Sequence, residues 1–400
     1  MTSRARKLRR VVVVGGSVAA LRAVEELRAR GHDGTIDLVS EEARLPYERP
    51  PLSKDVLVDG AEPLQYRDHA WFADNGVVLH LGCRATGLDP VRRVVSLGDD
   101  ALPYDGLVVA TGARPRNPWE ACGLQGVLTL RTLDDAHALR RSLRGRPSVV
   151  VVGAGFIGSE VASSARALGC AVRILEAAPA PLVRAVGAVG GRLLAGLHGA
   201  HGVDLRCGVA VASFGGRDRV EWVETTAGER VPADVVVVGV GVAPNVEWLA
   251  GSGLRIADGL VCDRTLCAGP PEVFAAGDVA SFDHPRFGMV RTEQWTTASL
   301  QGQHAAASLL RPDGQAEAFA APPYFWSDQY GSRVQLLGMP SDEPLVDLGS
   351  HDGDARRWAV GWSRDGRLSG VMALDWPQRI ASLRGAVVRG DPVGTLAAAV

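Results

Sequence analysis

The apolar positions of this chain fall into two patterns. Short runs of four residues, rich in valine and isoleucine, occur at 11–14, 36–39, 149–152, 172–175 and 235–238. Runs this short and this β-branched predict strands buried on both faces of a parallel sheet. After the first run Leu21, Val24 and Leu27 return at helical spacing, and after that at 149–152 so do Val161, Ala165 and Leu168. Strand, helix and strand in alternation predict an α/β fold built from βαβ units. Beyond residue 330 the pattern changes. Apolar runs at 334–337, 358–362 and 368–374, separated by turn signals such as Arg364-Asp365-Gly366, and a last helix near 379–388 predict a small α+β domain.

The strand at 149–152 breaks at Gly153-Ala154-Gly155-Phe156-Ile157-Gly158. Glycines at this spacing allow the tight turn, bring backbone N–H groups to a pyrophosphate and let helix pack on strand. The opening helix turns its positive N-terminus to the anion. Glu176 ends the next strand, 23 residues beyond Gly153, where an acid accepts hydrogen bonds from an adenine-ribose diol. The segment 11–20 is a second such unit in which Ser17 and Ala20 replace two of the glycines around Gly15 and Ala19, and Glu41 stands as its ribose acceptor. Two cradles predict two dinucleotides, the arrangement of a flavin enzyme reduced by a nicotinamide.

Composition narrows this little. The chain has 400 residues, 22% charged, with formal net charge −2. Nothing in that balance points to nucleic acid or a membrane, and no apolar run is long enough to span a bilayer. Arg4, Arg6, Lys7, Arg9 and Arg10 read as a frayed basic tail before a strand rather than a signal peptide, so the cytoplasm is the expected compartment. The six cysteines form no CxxC and no metal-type spacing. Cys262 and Cys267 lie close enough in sequence for a redox pair, but read more simply as small apolar residues at a strand's end. The glycine-rich stretch 187–201 predicts a poor helix whose His198 and His201 share a face; without a third ligand they read as half-buried histidines. Thr132 and Asp135 predict a capping box. Asp278, after a strand and Gly277, predicts a helix cap that also accepts a hydroxyl hydrogen bond.

The segment 41–54, EEARLPYERPPLSK, carries Arg49 and Lys54 on a proline-set loop that excludes a regular helix across it. With the two glycine turns it resembles the FAD-dependent ferredoxin reductases that serve Rieske oxygenases and bacterial cytochromes P450. In that family the loop lies along the flavin, where thiol-dependent relatives carry a redox disulfide; residues 46–54 hold no cysteine. The resemblance extends over essentially the whole chain. It includes Ala110-Thr111-Gly112, the crossover at 239–245 with Gly241, the string 274–279 with Gly277 and Asp278, and 291–302 with Glu293, Gln294 and Trp295. It ends with PYFWSDQY at 323–330, whose Trp326 the resemblance sets at the flavin. Gln294 departs from the family's histidine, and Asp375 before Trp376-Pro377 departs from an expected asparagine.

The resemblance implies an NAD domain (116–240) inserted into an FAD domain (1–115 and 241–320), with a C-terminal domain at 321–400. FAD would be held by Gly15, Ser17, Ala19, Ala20, Glu41, Arg49, Lys54, Ala110, Thr111, Gly112, Gly277, Asp278, Glu293, Gln294, Trp295 and Trp326. NADH would be held by Gly153, Gly155, Phe156, Ile157, Gly158, Glu160, Glu176 and Gly241. Lys54 and Glu160 would pair beside the flavin as the catalytic positions. Hydride would pass from NADH to FAD, and electrons singly to an iron–sulfur ferredoxin feeding a P450 or Rieske oxygenase, the enzyme being a monomer or weak dimer without metal. The alternatives are a rubredoxin reductase or diaphorase, and an NADH-binding redox sensor similar to apoptosis-inducing factor.

Overall fold

The computed structural model describes residues 8–396 apart from 313, 352 and 353; Arg4, Arg6 and Lys7 lie outside the described residues. The chain divides into two compact units, each assembled from separated stretches. The first comprises the described residues through Glu48, Leu64–Arg114 and Ala243–Pro323. The second comprises Arg49–Pro63, Pro115–Val242 and the described residues from Tyr324 on. The proline-set loop is thus divided at Glu48/Arg49, and its part from Arg49 to Lys54 groups with the second unit.

In the first unit the valine-rich run forms the strand Arg10–Val14 at the centre of a parallel sheet. In order, that sheet holds Val273–Ala275, Gly106–Val109, Arg10–Val14, Thr35–Ser40 and Val77–Leu81. Its middle strand is almost entirely shielded, which is why it reads as an unbroken apolar run. One charge interrupts the pattern: Asp37 has 0% of its surface exposed. It is matched by Arg10 Nε and His80 Nε2, each at 2.8 Å, as a buried carboxylate must be. The helices Val18–Ala29 and Trp295–Leu309 pack backbone to backbone. A Cβ on Gly302 would lie 2.1 Å from the Ala19 carbonyl oxygen, so only glycine permits that approach.

The second unit repeats the design. Its parallel sheet runs Asp204–Cys207, Ala171–Glu176, Ser148–Val152, Val235–Val238, Val127–Leu128. The capping box forms as read: Thr132 Oγ1 accepts from Asp135 N at 3.2 Å, and Asp135 Oδ2 accepts from Thr132 N at 2.9 Å. The C-terminal segment is an antiparallel sheet ordered Tyr324–Gln329, Ser332–Gly338, Arg367–Leu374, Asp354–Arg364, Val346–His351, with the helix Pro377–Arg389 against it. Asp365 and Gly366, at φ 55° and 70°, form the two-residue hairpin that the sequence marks. Asp375 takes φ 50°, a conformation that aspartate tolerates nearly as well as asparagine, and its Oδ1 accepts from Arg333 N at 2.6 Å.

Two expectations are corrected. No helix starts at Asp278: residues 277–280 make a turn closed by Ala280 N donating to the Gly277 carbonyl at 2.9 Å, and the strand Ala280–His284 follows. The run after the aspartate alternates for a sheet, so the apparent cap is a reversal between strands. The glycine-rich stretch, in turn, is a helix, Val183–Ala200, interrupted only at Gly187 (φ 68°). Its glycines serve packing: a Cβ on Gly191 would sit 2.1 Å from the Pro181 carbonyl oxygen. The buried face, with Val186 and Leu194, joins Val334, Trp362 and Met372 in one core. Tertiary burial therefore outweighs the weak helix propensity of glycine.

Candidate active site

In the second unit the backbone leaves Val152 through Gly153 at φ 99°. Gly153 N donates to the Leu175 carbonyl at 2.8 Å. A Cβ on Gly153 would lie 2.4 Å from the Gly239 carbonyl oxygen, and one on Gly158 would lie 2.2 Å from the Gly153 carbonyl oxygen. Both glycines are therefore dictated by close approach rather than by propensity. Gly155 caps the helix Phe156–Ala167 with no side-chain bond, leaving its first N–H groups for a ligand. Ile157, in the first turn, is 45% exposed.

Glu176 is more constrained than the sequence implies. Its Oε2 accepts from Ala154 N at 2.6 Å, inside the glycine turn, and its Oε1 accepts from Ala178 N at 2.8 Å. Each oxygen retains acceptor capacity for a ribose hydroxyl. Gly241, at φ 101°, offers its carbonyl to Arg116 N at 2.9 Å.

Glu160, in the second turn of the helix Phe156–Ala167, is 3% exposed and collects three donors. Ser53 Oγ at 2.5 Å and Lys54 Nζ at 2.9 Å reach its Oε2, and Ser327 Oγ at 2.7 Å reaches its Oε1. Lys54 follows the short 3₁₀ turn Pro50–Ser53, the form that the two prolines impose on the loop, and also donates to the Pro50 carbonyl at 3.1 Å. Arg49 Nη1 donates to the Arg131 carbonyl at 2.7 Å. The strand Tyr324–Gln329 turns Phe325 onto Phe156, with ring centroids 3.9 Å apart, while Trp326, on its other face, stacks with Tyr324. The serines were missed by sequence reasoning. Ser53 sits inside the quoted loop and Ser327 inside the quoted aromatic string, but no spacing rule joins positions so far apart.

The first unit gathers its own set. Gly15, at φ 138°, has the Ala110 carbonyl oxygen 2.1 Å from where its Cβ would stand. Ser17 caps the helix Val18–Ala29 without a side-chain bond to it. Ala19 and Ala20 are buried in the first turn. Thr111 Oγ1 donates to the Asn245 carbonyl and Asn245 Nδ2 donates to the Thr111 carbonyl, both at 2.9 Å, around Gly112 at φ 66°. Gly277 N donates to Gln301 Oε1 at 2.8 Å, and the Gln301 Nε2 is buried with no protein partner. Glu293 pairs with Arg291 at 2.9 Å; Gln294 Oε1 accepts from Thr297 Oγ1 at 3.0 Å; Trp295 Nε1 donates to Tyr66 Oη at 2.8 Å. Glu41 stands exposed beyond its strand, 3.4 Å from Arg84.

The description of the pyridine nucleotide-disulphide oxidoreductases matches residues 9–302, and that of the reductase C-terminal domain matches 324–399. The chain belongs to the pyridine nucleotide-disulphide oxidoreductase family. The oxidoreductase is 38% identical over 392 residues to the ferredoxin–NAD(+) reductase component of the anthranilate 1,2-dioxygenase system of Burkholderia cepacia, covering 95% of this chain and 94% of that one. Among solved structures it is similar to the ferredoxin reductase for the CYP199A2 system from Rhodopseudomonas palustris. That match has a TM-score of 0.91 and 34% identity, and covers 97% of both chains. The covalent putidaredoxin reductase–putidaredoxin complex matches at TM-score 0.90 and 31% identity, with 98% of both chains covered. The α/β reading with two nucleotide-type sheets and a C-terminal α+β segment is borne out.

All six cysteines of this oxidoreductase are free. Burial pushes the Cys262 thiol up, away from the reactive thiolate, and both it and Cys267 hydrogen-bond backbone carbonyls rather than each other. His198 donates to or accepts from Tyr330 Oη at 2.8 Å, and His201 stacks on the same ring. Burial, reinforced by His201, pushes His198 down to about 4, so it is neutral and structural. Among the described residues no cluster could hold a metal ion, and no helix is long and apolar enough to cross a membrane.

The residues fit FAD and NADH. In each turn a Cβ on the first glycine would collide with a backbone carbonyl oxygen, and each following helix leaves its first amides uncapped by a side chain. The buried, unpartnered Gln301 amide leaves a further donor free in the first unit, as a ligand oxygen there would need.

Proposed function

We propose that this oxidoreductase takes electrons from NADH and passes them to an iron–sulfur ferredoxin, which feeds a Rieske oxygenase or a cytochrome P450. The observation that carries the reading is the sulfur-free loop. Residues 46–54 hold no cysteine, and the loop carries instead Lys54, paired with Glu160 at 2.9 Å. Electrons that reach a flavin here have no disulfide to enter. Bound FAD supplies the two-electron to one-electron conversion that such a route needs. The likeness to a reductase joined to putidaredoxin and to dioxygenase components supports a ferredoxin as acceptor.

In this reading 1–115 with 241–320 form the FAD domain and 116–240 the NAD domain. Gly15, Ser17, Ala19 and Ala20 admit the FAD pyrophosphate to the first helix, and Glu41 binds its adenosine ribose. Ala110, Thr111, Gly112, Gly277 and Asp278 accommodate the rest of its chain; Arg49, Glu293, Gln294, Trp295 and Trp326 bound its ring. Gly153, Gly155, Phe156, Ile157 and Gly158 receive NADH, with Glu176 on the ribose and Gly241 leaving room. Lys54 and Glu160 orient flavin and nicotinamide without covalent chemistry. The purified protein mixed with NADH, a panel of ferredoxins and cytochrome c as final acceptor tests this. Rapid, ferredoxin-dependent reduction is expected; turnover with dyes but with no ferredoxin would overturn it.

The same reading predicts the nicotinamide. A 2′-phosphate would meet the Glu176 carboxylate, which two backbone amides hold in place, and residues 177–180 bring no arginine to offset it. The ratio of kcat/KM for NADH over NADPH is expected to be on the order of 10² or more, and a clear preference for NADPH would refute the assignment.

A further inference from the structure

The carboxylate of Glu160 is held from two sides, and only one of them belongs to the proline-set loop. Ser53 and Lys54 converge on Oε2. Oε1 is reached by a residue of the C-terminal sheet, Ser327, whose Oγ stands 2.7 Å away. Ser327 is fully buried, and its hydroxyl has a second partner: Gln329 Nε2 donates to it at 3.1 Å. Because the amide N–H points into the serine oxygen and a carboxylate only accepts, the serine proton is directed at Glu160. Gln329 is itself 1% exposed, so the relay has no water to fall back on.

We infer that Ser327 is a positioning residue for NADH oxidation: through its hydroxyl it fixes the Glu160 carboxylate so that Oε2 stays with Lys54. This rests on the reading that the Lys54–Glu160 pair orients the reacting rings. The charged groups on the neighbouring elements have other engagements. Asp328 pairs with Arg333 at 2.6 Å, Arg173 pairs with Asp204 at 2.5 Å, and Glu176 is taken by backbone amides. Asp55 is exposed at the start of its helix. Lys54 is therefore the one ion-pair partner of Glu160 among the described residues. Without the Ser327 hydroxyl, Oε1 would be buried with no donor, and the carboxylate would turn to share Lys54 between its two oxygens. The same hydroxyl also ties the strand bearing Trp326 to the helix that follows the glycine turn.

The test is stopped-flow reduction of the FAD-loaded, full-length protein by NADH. Ser327→Ala is expected to lower the limiting rate of flavin bleaching on the order of tenfold, the effect of one hydrogen bond to a charged group. The NADH dissociation constant should stay within about twofold, because the glycine turn and Glu176 are untouched. Ser327→Thr, which keeps the hydroxyl, should recover most of the rate. In a Glu160→Gln background Ser327→Ala should have little further effect. A wild-type rate in Ser327→Ala, no recovery in Ser327→Thr, or an undiminished effect in Glu160→Gln would overturn the inference. Should Ser327→Ala fail to retain flavin, Gln329→Met tests the same relay from behind, with a loss of about threefold expected and no loss counting against it. The underlying reading fails separately: if Glu160→Gln alone reduces flavin at the wild-type rate, the pair has no part in hydride transfer. A slow Glu160→Gln beside a normal Ser327→Ala refutes only the role of Ser327.

Discussion

Replacing Gly15 with valine is expected to yield a colourless protein. The backbone at Gly15 has φ 138°, a region that L side chains rarely adopt, and a Cβ there would lie 2.1 Å from the carbonyl oxygen of Ala110. Neither side can yield cheaply. Gly15 N donates to the Val39 carbonyl and Ala110 N donates to the Val14 carbonyl, at 2.8 and 2.7 Å, so both partners are locked to parallel strands of one sheet. Relief must come from splaying the turn itself, which moves the helix N-terminus away from where the FAD pyrophosphate is proposed to bind. Backbone strain and overpacking of about 1–3 kcal/mol each amount to a loss in FAD affinity of roughly 10² to 10⁴. The ratio of flavin absorbance to protein absorbance after purification reads this directly; full yellow stoichiometry in the variant would show that the first turn is not where FAD binds.

The second large effect concerns the Lys54–Glu160 pair, whose two partners differ in exposure. The side chain of Lys54 is 19% exposed and that of Glu160 only 4%. Lys54→Met therefore leaves a carboxylate buried with only two hydroxyl donors, whereas loss of Glu160 leaves an ammonium group that can reach solvent. Breaking a buried pair from the lysine side costs about 3 kcal/mol, a fall in melting temperature of about 6–12 °C. NADH-driven flavin reduction should fall about 10²-fold at the same time. The double variant Lys54→Met/Glu160→Leu should regain most of the melting temperature, since an apolar pair of similar volume needs no compensation, yet it should stay slow with NADH. Thermal melts and single-turnover reduction separate the two effects. A Lys54→Met protein that melts within about 1 °C of wild type would mean that the carboxylate does not depend on its lysine.

What the chain disclosed in advance follows the range of the forces involved. The strands at 149–152 and 235–238 were legible to the residue or nearly so, because a parallel strand covered on both faces is written as consecutive valines. Gly153 and Gly158 were legible because a turn needing close approach leaves no other residue type. The Thr132–Asp135 box was legible because both partners lie within one helical turn. By contrast, the serine donors on Glu160 come from positions 53 and 327, and serine at an isolated position carries no periodic signal. Asp37 within an apolar strand was equally silent, since its partners Arg10 and His80 arrive from neighbouring strands. Asp278 misled for a physical reason: glycine then aspartate suits either a helix cap or a reversal, and the choice is made outside the motif, where residues 280–284 pair with Gly259–Cys262 on one side and Gly288–Arg291 on the other.

The division of the chain has a practical corollary. The polypeptide passes from one unit to the other between Glu48 and Arg49, Pro63 and Leu64, Arg114 and Pro115, Val242 and Ala243, and Pro323 and Tyr324. Neither half can be excised as an uninterrupted fragment, so the protein is not modular in the way a fusion engineer would want. A ribosome must also complete residue 323 before the first unit has all its pieces, and a single nick near any of these passages severs a thread that both halves share.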